Sequence, residues 1–262
     1  MSMFDGFKFR SVSSPIHRLD PRVKFFYVCV LFAVAILFNQ LLPLLLLLVI
    51  QLPFVFIAGV EKEWIRSMRG SAFFIAIIFV MNFLSLYFYS GYLSLPVILE
   101  RSLAMTTRFL VLIESFSIFF LTTSPDLLGL ALEQSHVPYE FVFAFTTAVR
   151  FVPVLAEEAQ TIMDAQKARG LELEGGNFIR RVKNYIPILI PLIVNAIRRS
   201  LELAEAMESR AWGATKKRTN LYVLKMGRKD YYLMIISSVI LAVSIYAWMF
   251  VQIPSLTQLL SA

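Results

Sequence analysis

Apolar residues in this chain are collected into five long runs, and this feature most limits how the chain can fold. The runs cover residues 24–38, 41–60, 71–90, 97–121 and 231–252. A transmembrane helix needs about 20 mostly apolar residues, so runs of this kind are typical of membrane spans. Hydrophobic residues make up 58% of the chain and charged residues only 16%, whereas soluble domains carry about 25% charge. The sequence therefore predicts an all-α integral membrane protein with about five transmembrane helices.

Along the chain, segments that contain Lys and Arg alternate with segments that contain neither. Lys and Arg occur before the first run, in the charged segment 61–70 and throughout 122–230. The turns at 39–40 and 91–96 and the tail after 252 contain neither. Cytoplasmic loops of membrane proteins carry the excess of Lys and Arg. The pattern predicts a multi-pass protein of the cell membrane with a cytoplasmic N-terminus and an external C-terminus. It also explains the net charge of +7 without a nucleic-acid partner.

The same pattern divides the chain into four segments. They are a basic cytoplasmic segment at 1–23, a four-span transmembrane domain at 24–121, a cytoplasmic domain at 122–230, and a last span with an external tail at 231–262.

The cytoplasmic domain contains two apolar patches, at 141–155 and 185–197. Both patches are shorter than a membrane span needs to be. The second patch carries Pro187 and Pro191, and proline inside a helix removes a hydrogen bond and breaks or kinks it. We therefore expect this domain to consist of helices packed against the cytoplasmic face of the membrane.

Two segments of this domain, 155–174 and 196–213, are rich in good helix formers, and each has an arginine between small residues near its end. The two motifs are Ala168-Arg169-Gly170 and Ser209-Arg210-Ala211. A loop at 175–176 follows the first, and a basic tail at 216–218 follows the second. Small neighbours leave the guanidinium free to pair with a partner's carboxylate through two hydrogen bonds. Two interpretations stand: docking sites for two partner subunits, or solvated charges at helix C-termini.

Three charged residues lie within or near the fourth run: Arg101, Arg108 and Glu114. Charges inside a membrane usually face protein or water. Two interpretations remain for Arg108 and Glu114, burial against neighbouring helices or a functional contact with a partner in the membrane. Arg101 lies where its side chain can also reach the membrane surface.

The chain lacks the motifs of several catalytic and metal sites. Gly170 and Gly175 have the spacing of a phosphate-binding loop, but Gly176 and Asn177 stand where such a loop needs Lys and Ser or Thr. Cys29 is the single cysteine, so neither a disulfide within the chain nor a cysteine zinc site is possible. The sequence predicts no catalytic residue, no metal site and no cofactor in this chain.

Several stretches together resemble a known family. They are residues 14–24 (SPIHRLDPRVK), 123–128 (TSPDLL), 150–153 (RFVP) with Glu157 or Glu158 after them, and the two motifs around Arg169 and Arg210. In order and spacing they resemble the transmembrane T component of energy-coupling factor (ECF) transporters, the EcfT/CbiQ-like family of cobalt and vitamin uptake. The apolar runs match that family only in character.

This resemblance implies a non-catalytic scaffold subunit of an ATP-driven importer. Residues 122–230 would then be its coupling domain, which docks on two ATPase subunits that hold ATP and Mg. A small membrane subunit would bind the substrate, a vitamin or a transition metal. The resemblance gives the ATPase contacts to Arg169 and Arg210 with their small neighbours Ala168, Gly170, Ser209 and Ala211. The second motif departs from the family pattern at Ser209 and Ala211.

The alternative is a self-contained secondary transporter or an integral-membrane enzyme. Secondary transporters typically show clustered ionisable residues near the membrane midplane and related broken helices in two halves. Ionisable residues are scarce in the five runs, and no internal repeat is visible. These observations favour the scaffold.

Overall fold

The computed structural model describes residues 14–89, 94–172, 177–214, 222–251 and 257. Within these ranges the regular structure is entirely helical, which confirms the predicted fold class. The helices are α1 (Pro21–Leu37), α2 (Leu41–Ala58), α3 (Glu61–Tyr89), α4 (Leu95–Thr122), α5 (Pro125–Gln134), α6 (Tyr139–Ala168), α7 (Phe178–Asn184), α8 (Ile186–Glu208) and α9 (Arg228–Phe250). Parts of the predictions lie outside the described residues: the basic segment as far as residue 13, the loop at 175–176 and the basic tail at 216–218.

The first two apolar runs form two successive helices, α1 and α2. Asp20 caps the N-terminus of α1, because its carboxylate accepts a hydrogen bond from the Arg22 amide at 2.9 Å. Pro21 follows at the first helical position, where a missing N–H costs nothing. Gly59 ends α2 with a φ of 67°, a left-handed conformation that glycine adopts without strain.

The charged segment 61–70 is helical and not a loop, which corrects the sequence prediction. It forms the first turns of α3, and the apolar third run continues the same helix. Glu61 and Glu63 lie in the first turn, where the partial positive charge of a helix N-terminus attracts carboxylates. The change from charged to apolar residues therefore lies within one helix and does not mark its end.

The apolar patches at 141–155 and 185–197 are likewise not separate from the polar helices that follow them. The first patch and the polar segment after it form the continuous helix α6, and the second patch begins α8. Each helix is apolar in its first half and charged in its second. The sequence analysis treated the patches and the polar segments separately, and the structure joins each patch to the segment after it.

Pro191 lies inside α8 without ending it. A proline at this position has no N–H to donate to the carbonyl of Pro187, four residues earlier. That carbonyl instead accepts a hydrogen bond from the Gln166 side chain of α6, with Nε2 and the oxygen 3.3 Å apart. The neighbouring helix thus supplies the missing partner, which the sequence of α8 alone could not reveal.

Among the described residues, five helices are long and apolar enough to cross a membrane, namely α2, α3, α4, α6 and α9. The predicted set contained α1 in place of α6. The 17 residues of α1 extend about 26 Å, somewhat less than the ~30 Å hydrocarbon layer. The chain is a multi-pass membrane protein by the length and composition of its helices. The position of 141–155 on the cytoplasmic face stays a prediction.

The described residues form two compact units. The bundle unit consists of those within 14–131 and 224–251, with residue 257; the hairpin unit consists of those within 132–223. In the bundle unit α1 packs against α4 and α9, and its residues Leu31, Val34 and Ala35 are fully buried. α3 packs against α4 but has no buried residue, and its exposed phenylalanines include Phe73 and Phe88. Such an apolar exposed surface is typical of a helix that faces lipid.

Candidate functional site

The hairpin unit is built around α6 and α8, which run in opposite directions. Glu158 of α6 accepts a hydrogen bond from Asn195 of α8 at 2.6 Å and forms an ion pair with Arg199 at 3.3 Å. The Arg199 guanidinium also lies 5.9 Å from the centre of the Phe151 ring, a cation–π distance. Both charged side chains are partly buried. These contacts hold the middle of the two helices together.

The two ends of this hairpin are held by different contacts. At one end, near the C-terminus of α6, the Asn184 side chain donates to the carbonyl of Glu172 at 2.6 Å. At the other end Trp212, just after α8, packs on Tyr139 and Phe143 with ring centres 5.5 and 4.4 Å apart. Because α6 is 30 residues long, these ends lie about 45 Å apart.

The first arginine motif ends α6 in a defined turn. Arg169 follows the last helical residue, and Gly170 is left-handed with a φ of 88°. The Gly170 amide donates to the carbonyl of Lys167 at 2.9 Å, and the Leu171 amide donates to that of Gln166 at 3.0 Å. This pair of hydrogen bonds is the Schellman motif, a common end of helices.

The second arginine motif forms the same turn after α8. The Ala211 amide donates to the carbonyl of Glu208 at 2.9 Å, and the Trp212 amide donates to that of Met207 at 3.0 Å. Ala211 has a φ of 56° and takes the left-handed position that Gly170 takes in the first motif. Arg210 therefore occupies the position equivalent to Arg169. The sequence departure at Ala211 changes the residue but preserves the backbone geometry.

All six residues of the two motifs are exposed, namely Ala168, Arg169, Gly170, Ser209, Arg210 and Ala211. Neither arginine forms an ion pair with another residue in the part of the chain that the structure describes. The structure does not bring the two motifs together: they lie at opposite ends of the hairpin. Each is a separate exposed cation on a rigid turn, able to bind one carboxylate with two hydrogen bonds.

Exchanging the left-handed residues of the two motifs should shift their stabilities in opposite directions. A residue other than glycine loses about 1–2 kcal/mol of stability when it adopts the left-handed conformation. No atom lies within 4 Å of a Cβ added at Gly170, so Gly170→Ala should lower the stability of the turn by this backbone strain alone. We expect Gly170→Ala to accelerate amide hydrogen exchange at 169–171 by about fivefold, and Ala211→Gly to slow it at 210–212. If both variants changed the exchange rate in the same direction and by the same factor, the two turns would not share one backbone geometry.

The Trp212 ring should hold the second turn in place. Contacts between aromatic rings contribute about 0.5–1.5 kcal/mol each, and Trp212 makes two. We expect Trp212→Ala to speed limited cleavage by trypsin after Arg210 roughly tenfold and to leave cleavage after Arg169 unchanged. Trp212→Phe is the matched control, since it keeps an aromatic ring. The same acceleration at both arginines would mean that the whole hairpin had loosened.

The three charged residues predicted in the fourth run all lie on α4 but have different surroundings. Arg101 is exposed, whereas Glu114 is almost fully buried. Arg108 donates to the carbonyl of Phe38 and to the Asn39 side chain, both at 2.6 Å. It thereby joins α4 to the turn between α1 and α2, next to the C-terminus of α1. The contact of these residues with a substrate-binding subunit stays a prediction.

A buried polar network in the bundle unit was missed by the sequence analysis. Lys24 is 5% exposed, and its ammonium group donates to the carbonyl of Thr122 at 2.8 Å, at the C-terminus of α4. The carboxylates of Asp230 and Asp20 attract its charge. Asp230 also accepts a hydrogen bond from the Asp20 amide at 2.9 Å. The network joins the ends of α1, α4 and α9, and a lysine at the edge of an apolar run was its only sequence signal.

His17 lies beside this network. Its Nδ1 is 2.7 Å from the Ser14 hydroxyl, and its carbonyl is 3.4 Å from the Lys24 ammonium group. Burial lowers the pKa of His17 below its ordinary value, and the nearby positive charge of Lys24 lowers it further. Both effects favour the neutral form of the imidazole. In the described ranges no three His, Cys, Asp or Glu residues are grouped as metal ligands would be.

The described part of the chain is all-helical, and the length and composition of its helices define a multi-pass membrane protein. A family model described as cobalt transport protein (CbiQ) matches residues 12–221. The energy-coupling factor transporter transmembrane protein EcfT of Thermosediminibacter oceani is 32% identical over 236 residues, which cover 83% of this chain and 88% of that protein. The corresponding proteins of Clostridium kluyveri and Lactococcus lactis subsp. cremoris are each 31% identical, over 88% and 90% of this chain and 91% and 94% of their own lengths.

These similarities cover most of the chain and include both arginine motifs. The chain belongs to the CbiQ family, the transmembrane T components of energy-coupling factor transporters. Its relatives are named as transmembrane proteins of a transporter.

Proposed function

We propose that this chain is the scaffold and energy-coupling subunit of an ATP-driven importer. Two ATPase subunits dock on it, one at Arg169 and one at Arg210, and a small membrane subunit captures a vitamin or a transition metal. The chain lies in the cell membrane with its N-terminus in the cytoplasm and its C-terminus outside. It is not itself an enzyme: ATP and Mg bind to the partner ATPases.

The observation that carries this proposal is the matched geometry of the two arginine turns. Both arginines precede a left-handed residue in the same hydrogen-bonded turn. The turn fixes the backbone from which each guanidinium projects, and the planar guanidinium can pair with a carboxylate in a partner's groove through two hydrogen bonds. Two equivalent turns at opposite ends of one hairpin suit two partners of similar fold.

The hairpin also supplies a physical route for energy coupling. The contacts of Glu158 with Asn195 and Arg199 make α6 and α8 a connected pair. ATP binding would move the two ATPases towards each other, and each would carry one end of the hairpin with it. The resulting movement would alter the membrane surface that holds the substrate-binding subunit.

Substrate choice does not enter this mechanism. The proposed docking residues contact the ATPases, and the substrate is assigned to another subunit. Arg101, Arg108 and Glu114 on α4 are the proposed contacts with that subunit or within the membrane. The family name points to cobalt uptake, but vitamins remain within the proposed substrate class.

Extraction of the tagged chain from its native membrane tests the proposal directly. We expect mild detergent to release it together with two ATPase subunits, or two copies of one, and a small hydrophobic protein, all identified by mass spectrometry. That small protein would also indicate the substrate. Recovery of the chain alone in several mild detergents, with transport by the purified chain in vesicles, would contradict the scaffold function and favour a self-contained transporter.

A further inference from the structure

A cleft of about 610 Å³ lies in the bundle unit between the segment before α1 and the start of α9. Residues 14, 15, 18 and 19 line one side, and residues 227–230 line the other. No residue of the cleft belongs to the proposed ATPase-docking turns. The cleft therefore requires a separate explanation.

The cleft carries an excess of positive charge. Arg18, Arg228 and Lys229 all line it and are exposed. Among the described residues of the lining, the one acidic residue is Asp230, which is buried. Its two oxygens accept hydrogen bonds from the backbone amides of Asp20, at 2.9 Å, and Gly227, at 2.7 Å. Three described cations thus line the cleft, and two amide donors partly compensate the carboxylate of Asp230.

The two walls are held in position by hydrogen bonds. The bond from Asp20 to Asp230 joins the segment before α1 to the first turn of α9. On the first wall, the Ser14 hydroxyl is 2.7 Å from Nδ1 of His17. The positive groups therefore surround a preformed space, and a ligand has to order only the ends of their side chains. Preformed sites lose less free energy to ordering when they bind.

The location favours a ligand from the membrane surface. α1 and α9 both begin at this cleft, and in the orientation proposed above both beginnings lie on the cytoplasmic side. Pro15 and Leu19 add apolar surface next to the cations. Basic pockets beside membrane helices on this side are suited to anionic phospholipids, which combine a phosphate headgroup with apolar acyl chains.

We propose that this cleft binds the phosphate group of an anionic phospholipid of the inner leaflet. Arg18, Arg228 and Lys229 supply the charge, and Pro15 and Leu19 contact the glycerol region. The inference does not depend on ATPase docking. Free inorganic phosphate has the same charged group, and the experiment distinguishes it from the lipid.

Native mass spectrometry of the purified full chain tests this site by titration with phosphatidylglycerol or phosphatidylcholine. The test variant is Arg18→Gln/Arg228→Gln/Lys229→Gln. The control is Lys62→Gln/Arg66→Gln/Arg69→Gln, which removes the same charge from exposed residues of α3. Because a basic residue near a membrane contributes about 1 kcal/mol of attraction, we expect the test variant to lose phosphatidylglycerol affinity at least about tenfold. The control should lose much less, and phosphatidylcholine binding should change in neither.

Equal losses in test and control variants would overturn the proposal, since they would indicate general attraction to the surface. No loss in the test variant would also overturn it. Displacement of the lipid by micromolar inorganic phosphate would identify a free-anion site and overturn the assignment to lipid. If the triple variant does not fold, Arg18→Lys/Arg228→Lys keeps the charge and should retain the preference for phosphatidylglycerol; loss of that preference in a folded protein would contradict the site.

Discussion

Reversing the charge of both docking arginines, Arg169→Glu and Arg210→Glu, is expected to abolish association with the ATPase subunits while leaving membrane insertion intact. Loss of one partner from a hydrogen-bonded charge pair at an interface costs about 2–5 kcal/mol, and reversal adds repulsion. Each single variant should therefore weaken ATPase binding at least about 30-fold, and the double variant should retain no detectable ATPase after affinity purification. Transport in vesicles should fall in parallel.

The matched control reverses two other exposed arginines of the hairpin unit, Arg181 and Arg198. These residues lie within α7 and α8 and not at the arginine turns. We expect this control to retain its ATPases. If both double variants lost them equally, net charge would explain the effect. If the Arg169 and Arg210 variant kept its ATPases and transported normally, neither arginine would be a docking residue.

Replacement of Lys24 by methionine should lower the free energy of unfolding of the bundle unit strongly. The change removes the ammonium group that donates to the carbonyl of Thr122, and it removes a positive charge that attracts the buried carboxylates of Asp230 and Asp20. A buried acceptor that loses its donor costs about 1–3 kcal/mol, and the loss of the attraction adds to it, so we expect a cost of about 3 kcal/mol. For a chain of this size, we expect the unfolding temperature in detergent to fall by roughly 6–12 °C.

Tryptophan fluorescence during heating measures this change. Lys62→Met is the control, because Lys62 is exposed in the first turn of α3. Its unfolding temperature should stay close to that of the unmodified protein. Adding Asp230→Asn to Lys24→Met should cost less than the sum of the two single changes, since each already breaks the same network. An additive result would show that Lys24 and Asp230 act independently.

The helical class and the principal helices could be predicted from the sequence because they depend on local properties. Apolar runs of sufficient length form helices in a membrane, since lipid offers no partner to an unpaired backbone group. Small residues after the arginines also indicated where two helices end: Gly170 adopts the left-handed conformation that a glycine favours. The six proposed docking residues were likewise found from the sequence, with the family resemblance supplying their role.

The relation between distant segments could not be predicted in this way. From the sequence, the prolines of α8 indicated a break in the helix. The sequence does not show that the Gln166 side chain donates to the Pro187 carbonyl, which lacks a donor because Pro191 has no N–H. From sequence alone, a polar stretch such as 61–70 is predicted to be a loop. The structure shows that its charged residues form the first turns of a longer helix. The sequence likewise did not indicate that Trp212 returns to the start of α6.

Local composition and periodicity therefore determined that the chain crosses a membrane in helices, and short motifs determined which arginines end two of them. Only the tertiary structure decided that these arginines lie at opposite ends of one antiparallel hairpin. It also decided that Lys24 bonds a residue 98 positions away and that Arg18 and Arg228 share a cleft. The physical reason is that helix formation depends on neighbours within one or two turns, whereas buried charges are stabilised by groups that only folding brings together.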